Sequence, residues 1–244
     1  MYPLFLENYQ NHQVFFVNNV YGCLNNMDEI SASIFNNAIA ERFHPLFDWG
    51  STESIQVVFW VHEYLSRYID AGKSLIDLGC GSGKHTYQVE LLGINTYGID
   101  ISEKMIEYAL CNKLKYNSKS IFIVGSYYSL PFTSNVFDYA LFPKNIIECS
   151  IREFEIITNE VYRILNKDGQ FIILLKENHY IEENKENLIH MNNVKIDGIG
   201  EFSYPSYYWN TKMIERITQG KFKLIVNDCI DDKKRTVLLI AKKY

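Results

Sequence analysis

The stretch 74–86, SLIDLGCGSGKHT, constrains this chain more than any other. An aliphatic run, Leu75, Ile76 and Leu78, stops at three glycines spaced every second residue: Gly79, Gly81 and Gly83. Apolar positions at Tyr87, Leu91 and Leu92 then predict a helix. The local order is strand, tight glycine turn, helix. Glycine admits positive φ and a close approach of backbone to a ligand, and a helix start just beyond presents unpaired N–H groups. Two familiar glycine loops fail against this spacing. A phosphate-gripping loop needs glycine five residues before the Gly83-Lys84 pair and Ser or Thr after the lysine, where Leu78 and His85 stand. The dinucleotide pattern needs its third glycine where Lys84 sits.

A chain of 244 residues fits one large α/β domain with a decorated end. Its net charge of −5 gives no electrostatic reason to expect a polyanion, so no nucleic-acid partner is expected. The five cysteines are odd in number and form no C-x-x-C pair, which argues against a disulfide framework or a structural metal. Cys80 fits the glycine loop simply as a small residue. The beginning, MYPLFLENYQ, has no basic start, and nowhere do eighteen apolar residues run together. A cytoplasmic protein without a membrane partner is expected. Oligomeric state is not legible.

Along the chain, residues 1 to about 50 are aromatic and Asn-rich without strand alternation. Ile30, Ile34, Phe35, Ala38 and Ile39 recur at helical spacing. A helix from Thr52 shows Ile55, Val58, Val61, Leu65, Tyr68 and Ile69 on one face, and Gly72 ends it. Residues 1–70 therefore read as a helical cap, and 71–244 as the core. Strands and helices then alternate, as in a parallel sheet with crossover helices. Strands are expected at 74–79, 94–99, 120–124, 136–142 and 170–175. Ser102 is placed to cap one helix, and Ser150 with Glu153 forms a capping box for another. A polar, irregular insertion at 177–206 reads as a lid. A short helix at 211–218 and a hairpin of 223–230 with 236–241 complete the chain.

Asp77, Gly79, Gly81 and Gly83 spell D-x-G-x-G-x-G, and here the chain resembles motif I of the class I S-adenosylmethionine-dependent methyltransferases, in their small-molecule branch. The match is specific because an acid stands inside a strand, where an apolar residue is the ordinary choice. Residues 125–132, GSYYSLPF, resemble the family's G-D-x-x-x-L-P-F, with Ser126 at the acid's place, and Phe137-Asp138 follows in step. Residues 160–169 resemble its E-x-x-R-V-L-K-P-G-G segment, with Glu160 and Arg163 read as a solvated pair. The implied fold is α/β: a Rossmann-like, doubly wound sheet of seven strands, mostly parallel, with the last strand antiparallel and a helical cap in front.

The implied cofactor is S-adenosylmethionine, with S-adenosylhomocysteine as product. In an open parallel sheet, ligands lie past the carboxyl ends of the strands at the switch point. The exposed amides of Gly79, Gly81 and Gly83 are then set to approach the methionine part, with Asp77 orienting the loop or meeting the ligand's ammonium. Asp100 is placed to accept both ribose hydroxyls, Ile101 to pack on adenine, and Ser126 and the Tyr127 backbone to bond its edge. Phe142 and Asn145, past strand four, are candidates for the cofactor and acceptor respectively. Transfer from a sulfonium is an in-line displacement that needs mainly alignment, with a base only for a protonated acceptor. His44, Glu148 and His179 are the base candidates, His44 preferred. Trp49, His179 and Tyr208 are candidates for the acceptor's pocket, Tyr208 equally as packing of the lid on the core.

The leading expectation is N- or O-methylation of a small organic acceptor in a pocket closed by cap and insertion. Two alternatives stand beside it: an enzyme that consumes S-adenosylmethionine by intramolecular cyclisation, and a non-catalytic protein that only binds it.

Overall fold

The computed structural model describes residues 15–16, 37, 40, 52–143, 145–176, 188–196, 200–231 and 236–244. In chain order the strands are β1 (Phe15–Phe16), β2 (Ser74–Leu78), β3 (Asn95–Asp100), β4 (Ile121–Val124), β5 (Phe137–Pro143), β6 (Leu165–Lys176), β7 (Leu188–Ile196), β8 (Gly200–Tyr207), β9 (Phe222–Asp231) and β10 (Thr236–Lys243). The helices are α1 (Thr52–Glu63), α2 (Lys84–Glu90), α3 (Glu103–Tyr116), α4 (Ile151–Ile164) and α5 (Thr211–Thr218).

The main sheet runs β1-β4-β3-β2-β5-β6-β10-β9. Strands β2 to β6 are mutually parallel, and β10 lies antiparallel to both β6 and β9. The expected seven strands are present with the last one reversed. Phe15–Phe16 adds a two-residue eighth strand beside β4, in a region whose sequence showed no strand alternation. Pairing with the open edge of β4 supplies what local pattern did not.

Both faces of this sheet are covered, and side-chain alternation sorts its residues between them. Phe171, Ile173 and Leu175 of β6 join Val237, Leu239 and Ala241 of β10 on the face packed by α4 and α5. Ile172, Leu174, Leu238 and Ile240 point to the other face, against Trp60, Val61, Leu65 and Ile69. The predicted helix from Thr52 stops at Glu63 and continues as a 3-10 turn, Leu65–Arg67. Val58, expected inside, is exposed, and Trp60 takes its place in the core. Likewise α2 ends at Glu90, leaving Leu91 on the surface.

Local signals at helix starts hold. The Ser102 hydroxyl accepts the Met105 N–H at 3.1 Å, and the Ser150–Glu153 box closes both ways at 3.3 and 2.7 Å. Residues 166–169, whose Asn, Asp and Gly favour a turn, lie inside β6, where the register to β5 slips between Phe137↔Leu165 and Tyr139↔Gln170. Arg163 and Glu160 correct the reading of a solvated pair. Arg163 donates to the Phe132 and Leu130 carbonyls at 2.5 and 2.9 Å, and Glu160 accepts the Leu130 N–H at 2.8 Å. Together they strap the loop after β4 onto α4.

The insertion, expected to be irregular, contains an antiparallel ribbon of β7 with β8. Its Asn-rich first strand has weak local β-preference, and the cross-strand partner decides its conformation. Among the described residues no helix is long and apolar enough to cross a membrane. None of the four described cysteines, Cys80, Cys111, Cys149 and Cys229, forms a disulfide with another described residue.

Candidate functional site

The chain leaves β2, builds outward through β3 and β4, then returns to the other side of β2 as β5. That reversal is the switch point, and the loop after β2 lies at it. Gly79, Gly81 and Gly83 all have positive φ, at 72°, 54° and 86°. Their amides are not free donors, contrary to the sequence reading. The N–H groups of Gly79 and Cys80 donate to the Ile99 carbonyl at 2.8 and 3.0 Å, and that of Gly83 donates to Cys80 at 3.0 Å. The Gly81 N–H donates to Asp100 Oδ2 at 2.8 Å. What the loop offers is closeness: among the described residues, a Cβ built on Gly81 would meet nothing within 4 Å.

Asp100 ends β3, half-exposed. Its Oδ2 holds Gly81 and its Oδ1 accepts the Ser102 N–H at 2.9 Å. A carboxylate has roughly four lone-pair sites, so each oxygen keeps one for a ligand hydroxyl. Burial raises its pKa, with the two backbone bonds pulling the other way. Ile101, beside it, is half-buried.

Asp77 is fully buried under the loop. The Thr86 hydroxyl donates to Oδ2 at 2.7 Å, while Oδ1 is buried with no hydrogen-bond partner among the described residues. Burial above all, with the Asp100 charge adding to it, pushes the carboxyl up to about 7 against the pull of Thr86. An orphaned oxygen of this kind suits a cationic ligand group or one carrying N–H donors.

Past β4, the Ser126 hydroxyl accepts the Tyr128 N–H at 3.1 Å and stays half-buried. Tyr127 and Tyr128 meet edge to face at 4.9 Å. Their hydroxyls share hydrogen bonds with the buried Cys149 thiol and with each other. Past β5, Phe142 is fully buried, stacked on Phe154 and tilted against Phe171, so its ring is core and not crevice wall. Asn145 opens the 3-10 turn Asn145–Glu148. Glu148 closes it, exposed at the surface, yet burial around its carboxyl and the Asp100 charge both raise its pKa.

Tyr208 lies in the core, its hydroxyl accepting from Asn210 Nδ2 at 3.0 Å. This is the packing role of the two the sequence allowed. Trp209 anchors the end of the insertion: its indole N–H donates to the Cys149 carbonyl at 3.0 Å. His44, Trp49 and His179, and the side chain of Asn145, lie outside the described residues. Sequence reasoning missed Thr86, Tyr128 and Cys149. Tyr128 stood in a quoted motif, but nothing local marked the thiol that ties the two rings together.

Residues 69–228 match the family model of a methyltransferase domain. The chain belongs to the class I S-adenosylmethionine-dependent methyltransferases. Among curated relatives, this methyltransferase is 26% identical over 184 residues to the sterol 24-C-methyltransferase erg6 of Schizosaccharomyces pombe, covering 70% of the present chain. The chain spans about half of that relative's length, 46%. Its fold is shared with the PH0226 protein of Pyrococcus horikoshii OT3 at TM-score 0.71 and 22% identity, over 84% of this chain and 99% of the other. It is shared also with the magnesium protoporphyrin IX methyltransferase of Synechocystis PCC 6803, solved with bound S-adenosylmethionine, at 0.66 and 14%, over 89% and 97%. The cofactor of this methyltransferase is S-adenosylmethionine. The residues present fit it: an uncrowded Gly81, an orphaned Asp77 oxygen and open lone pairs on Asp100.

Proposed function

We propose that the protein methylates a small organic acceptor in a pocket at the switch point, closed by the N-terminal cap and the insertion at 177–206. When bound, S-adenosylmethionine supplies a methyl group already activated by its positive sulfur. Asp100 receives the ribose hydroxyls, Ile101 packs beside the adenine, and Ser126 and the Tyr127 backbone meet its edge. The loop of Gly79, Gly81 and Gly83 gives close approach, and Asp77 faces the ligand's ammonium. Trp49, Asn145 and His179 flank the acceptor, while Glu148 is the base that the described residues offer where the acceptor must lose a proton. His44 keeps that role as an alternative.

The observation that carries this reading is the Asp100 carboxylate, pinned by Gly81 and Ser102 with a lone pair left on each oxygen. The two named relatives act, by their names, on a sterol and on a porphyrin. Both are discrete organic molecules, which favours a small acceptor over a polymer. Calorimetry with S-adenosylmethionine tests the cofactor half. Asp100→Ala is expected to weaken binding about 100-fold, the loss of two charge-assisted bonds at about 1.5 kcal/mol each, and Asp100→Asn less. Unchanged affinity in both variants rejects the assignment. Product analysis tests the other half: S-adenosylhomocysteine marks methyl transfer, whereas methylthioadenosine marks cyclisation.

A further inference from the structure

Two points tie the start of the chain to the rim of the crevice at the end of β3. Strand β1 runs parallel to β4 with Phe16 opposite Val124, and Val124 in turn lies opposite Asp100. The second point is Asn37, a helical position three residues before the fully buried Ala40. Its Oδ1 accepts the Ser102 hydroxyl proton at 2.6 Å and the Lys104 N–H at 3.2 Å. A backbone N–H can only donate, so the second bond fixes which end of the carboxamide faces α3.

Ser102 stands at the centre of this contact. It is fully buried, with an extended backbone at φ −85° and ψ 110°, and it caps α3 by accepting the Met105 N–H at 3.1 Å. Its own N–H donates to Asp100 Oδ1 at 2.9 Å. The cap leaves its hydroxyl proton over, and Asn37 takes it. One residue thus holds Asp100 with its amide and the segment around Asn37 with its hydroxyl. The Lys104 N–H, a first-turn donor without a partner inside α3, goes to the same carboxamide oxygen. Most caps are local in sequence, whereas this one is completed from 65 residues away.

Asp100 has to present both oxygens at once to two hydroxyls fixed on one sugar. Its carboxylate is restrained at Oδ2 by Gly81 and at Oδ1 by Ser102. Without the Asn37 oxygen, a buried hydroxyl loses its acceptor, and Ser102 shifts to recover one. Resting on the cofactor assignment above, we infer that Asn37 is a positioning residue of the cofactor site. It sets Asp100 through Ser102, and so couples occupation of the ribose site to docking of the N-terminal segment on α3. The coupling is reciprocal: a sugar held by Asp100 tightens the Asn37 contact by the factor that the contact adds to sugar binding.

Calorimetry with S-adenosylhomocysteine on the full chain tests the positioning. Asn37→Ala is expected to weaken binding about tenfold, the equivalent of one hydrogen bond to a buried group. In an Asp100→Ala background the same change is expected to matter less than about twofold, because no carboxylate is left to position. A purely structural defect would add its loss in both backgrounds. Arg42 is the only Lys or Arg before Arg67, so tryptic cleavage after Arg42 reads the docking of the segment. Saturation with S-adenosylhomocysteine is expected to slow that cleavage in the parent and to leave it unchanged in Asn37→Ala. The parent's half of this measurement needs no substitution, so it decides the matter even where the variant does not fold. Unchanged affinity in Asn37→Ala, an equal loss in both backgrounds, or cleavage that S-adenosylhomocysteine does not slow overturns the inference and leaves the cofactor site standing. Failure of S-adenosylhomocysteine to bind the parent overturns both.

Discussion

Replacing Gly83 with alanine is expected to destabilise the protein by about 2–5 kcal/mol, while the same change at Gly81 costs about 1 kcal/mol. Both residues sit in the left-handed region, at φ 86° and 54°. What separates them is the space around the missing Cβ. At Gly83 it would lie 2.7 Å from Tyr87 Cε2 and 2.9 Å from the Phe122 ring. Neither ring can retreat. The Tyr87 hydroxyl is bonded to the Ala109 carbonyl, and Phe122 is fully buried. Strain from positive φ therefore adds to overpacking. At Gly81 the new methyl meets no described residue within 4 Å, so only the backbone cost remains, but the methyl intrudes on the proposed cofactor site. Urea unfolding of the two variants checks the first claim and calorimetry the second. Equal losses of stability would show that the space around the loop does not decide the cost.

Asp77 is expected to make the ligand-free protein less stable as pH rises. Burial holds its carboxyl at about 7 in the folded state, against an ordinary value of 3.8. Between those values the folded chain holds a proton that the unfolded chain has released. Stability therefore falls as pH climbs from about 4 to about 7 and levels off above. At about 1.4 kcal/mol per unit, the whole loss is on the order of 4 kcal/mol. Asp77→Asn cannot ionise, so its stability curve lacks this descent and gains on the parent toward pH 8. Asp100 and Glu148, also raised, contribute slopes of the same sign, which the difference between variant and parent cancels. Urea titrations at pH 5 and pH 8 give the comparison, and parallel curves for the two proteins would refute it. A bound cation near Oδ1 favours the ionised form, so saturation with S-adenosylmethionine is expected to flatten the parent's slope.

Elements whose signals are local were legible from residue order. The caps at Ser102 and Ser150 hold because each hydroxyl bonds an amide three residues ahead. The turn at Gly79–Gly83 follows from positive φ, which glycine alone adopts freely. Asp100 could be placed because the spacing from the glycines fixes which strand end it occupies. Distant partners decided the rest. The glycine amides look free in a sequence, yet the Ile99 carbonyl and Asp100 carboxylate take them. Arg163 and Glu160 look solvated, yet they hold the loop at Leu130 and Phe132. β7 looks irregular until β8 lies against it.

By itself, residue order determined that a glycine turn follows a buried acid at the tip of a parallel strand, because φ and hydrophobic period are properties of short stretches. Only the tertiary structure decided which donors and acceptors remain for a ligand. Tyr127 and Tyr128 share hydrogen bonds with Cys149, twenty-two and twenty-one residues onward. Glu148 feels the charge of Asp100 from another strand. Hydrogen bonds act over about 3 Å in space with no regard for sequence separation, so the chemistry of the crevice is settled only once the strands lie side by side.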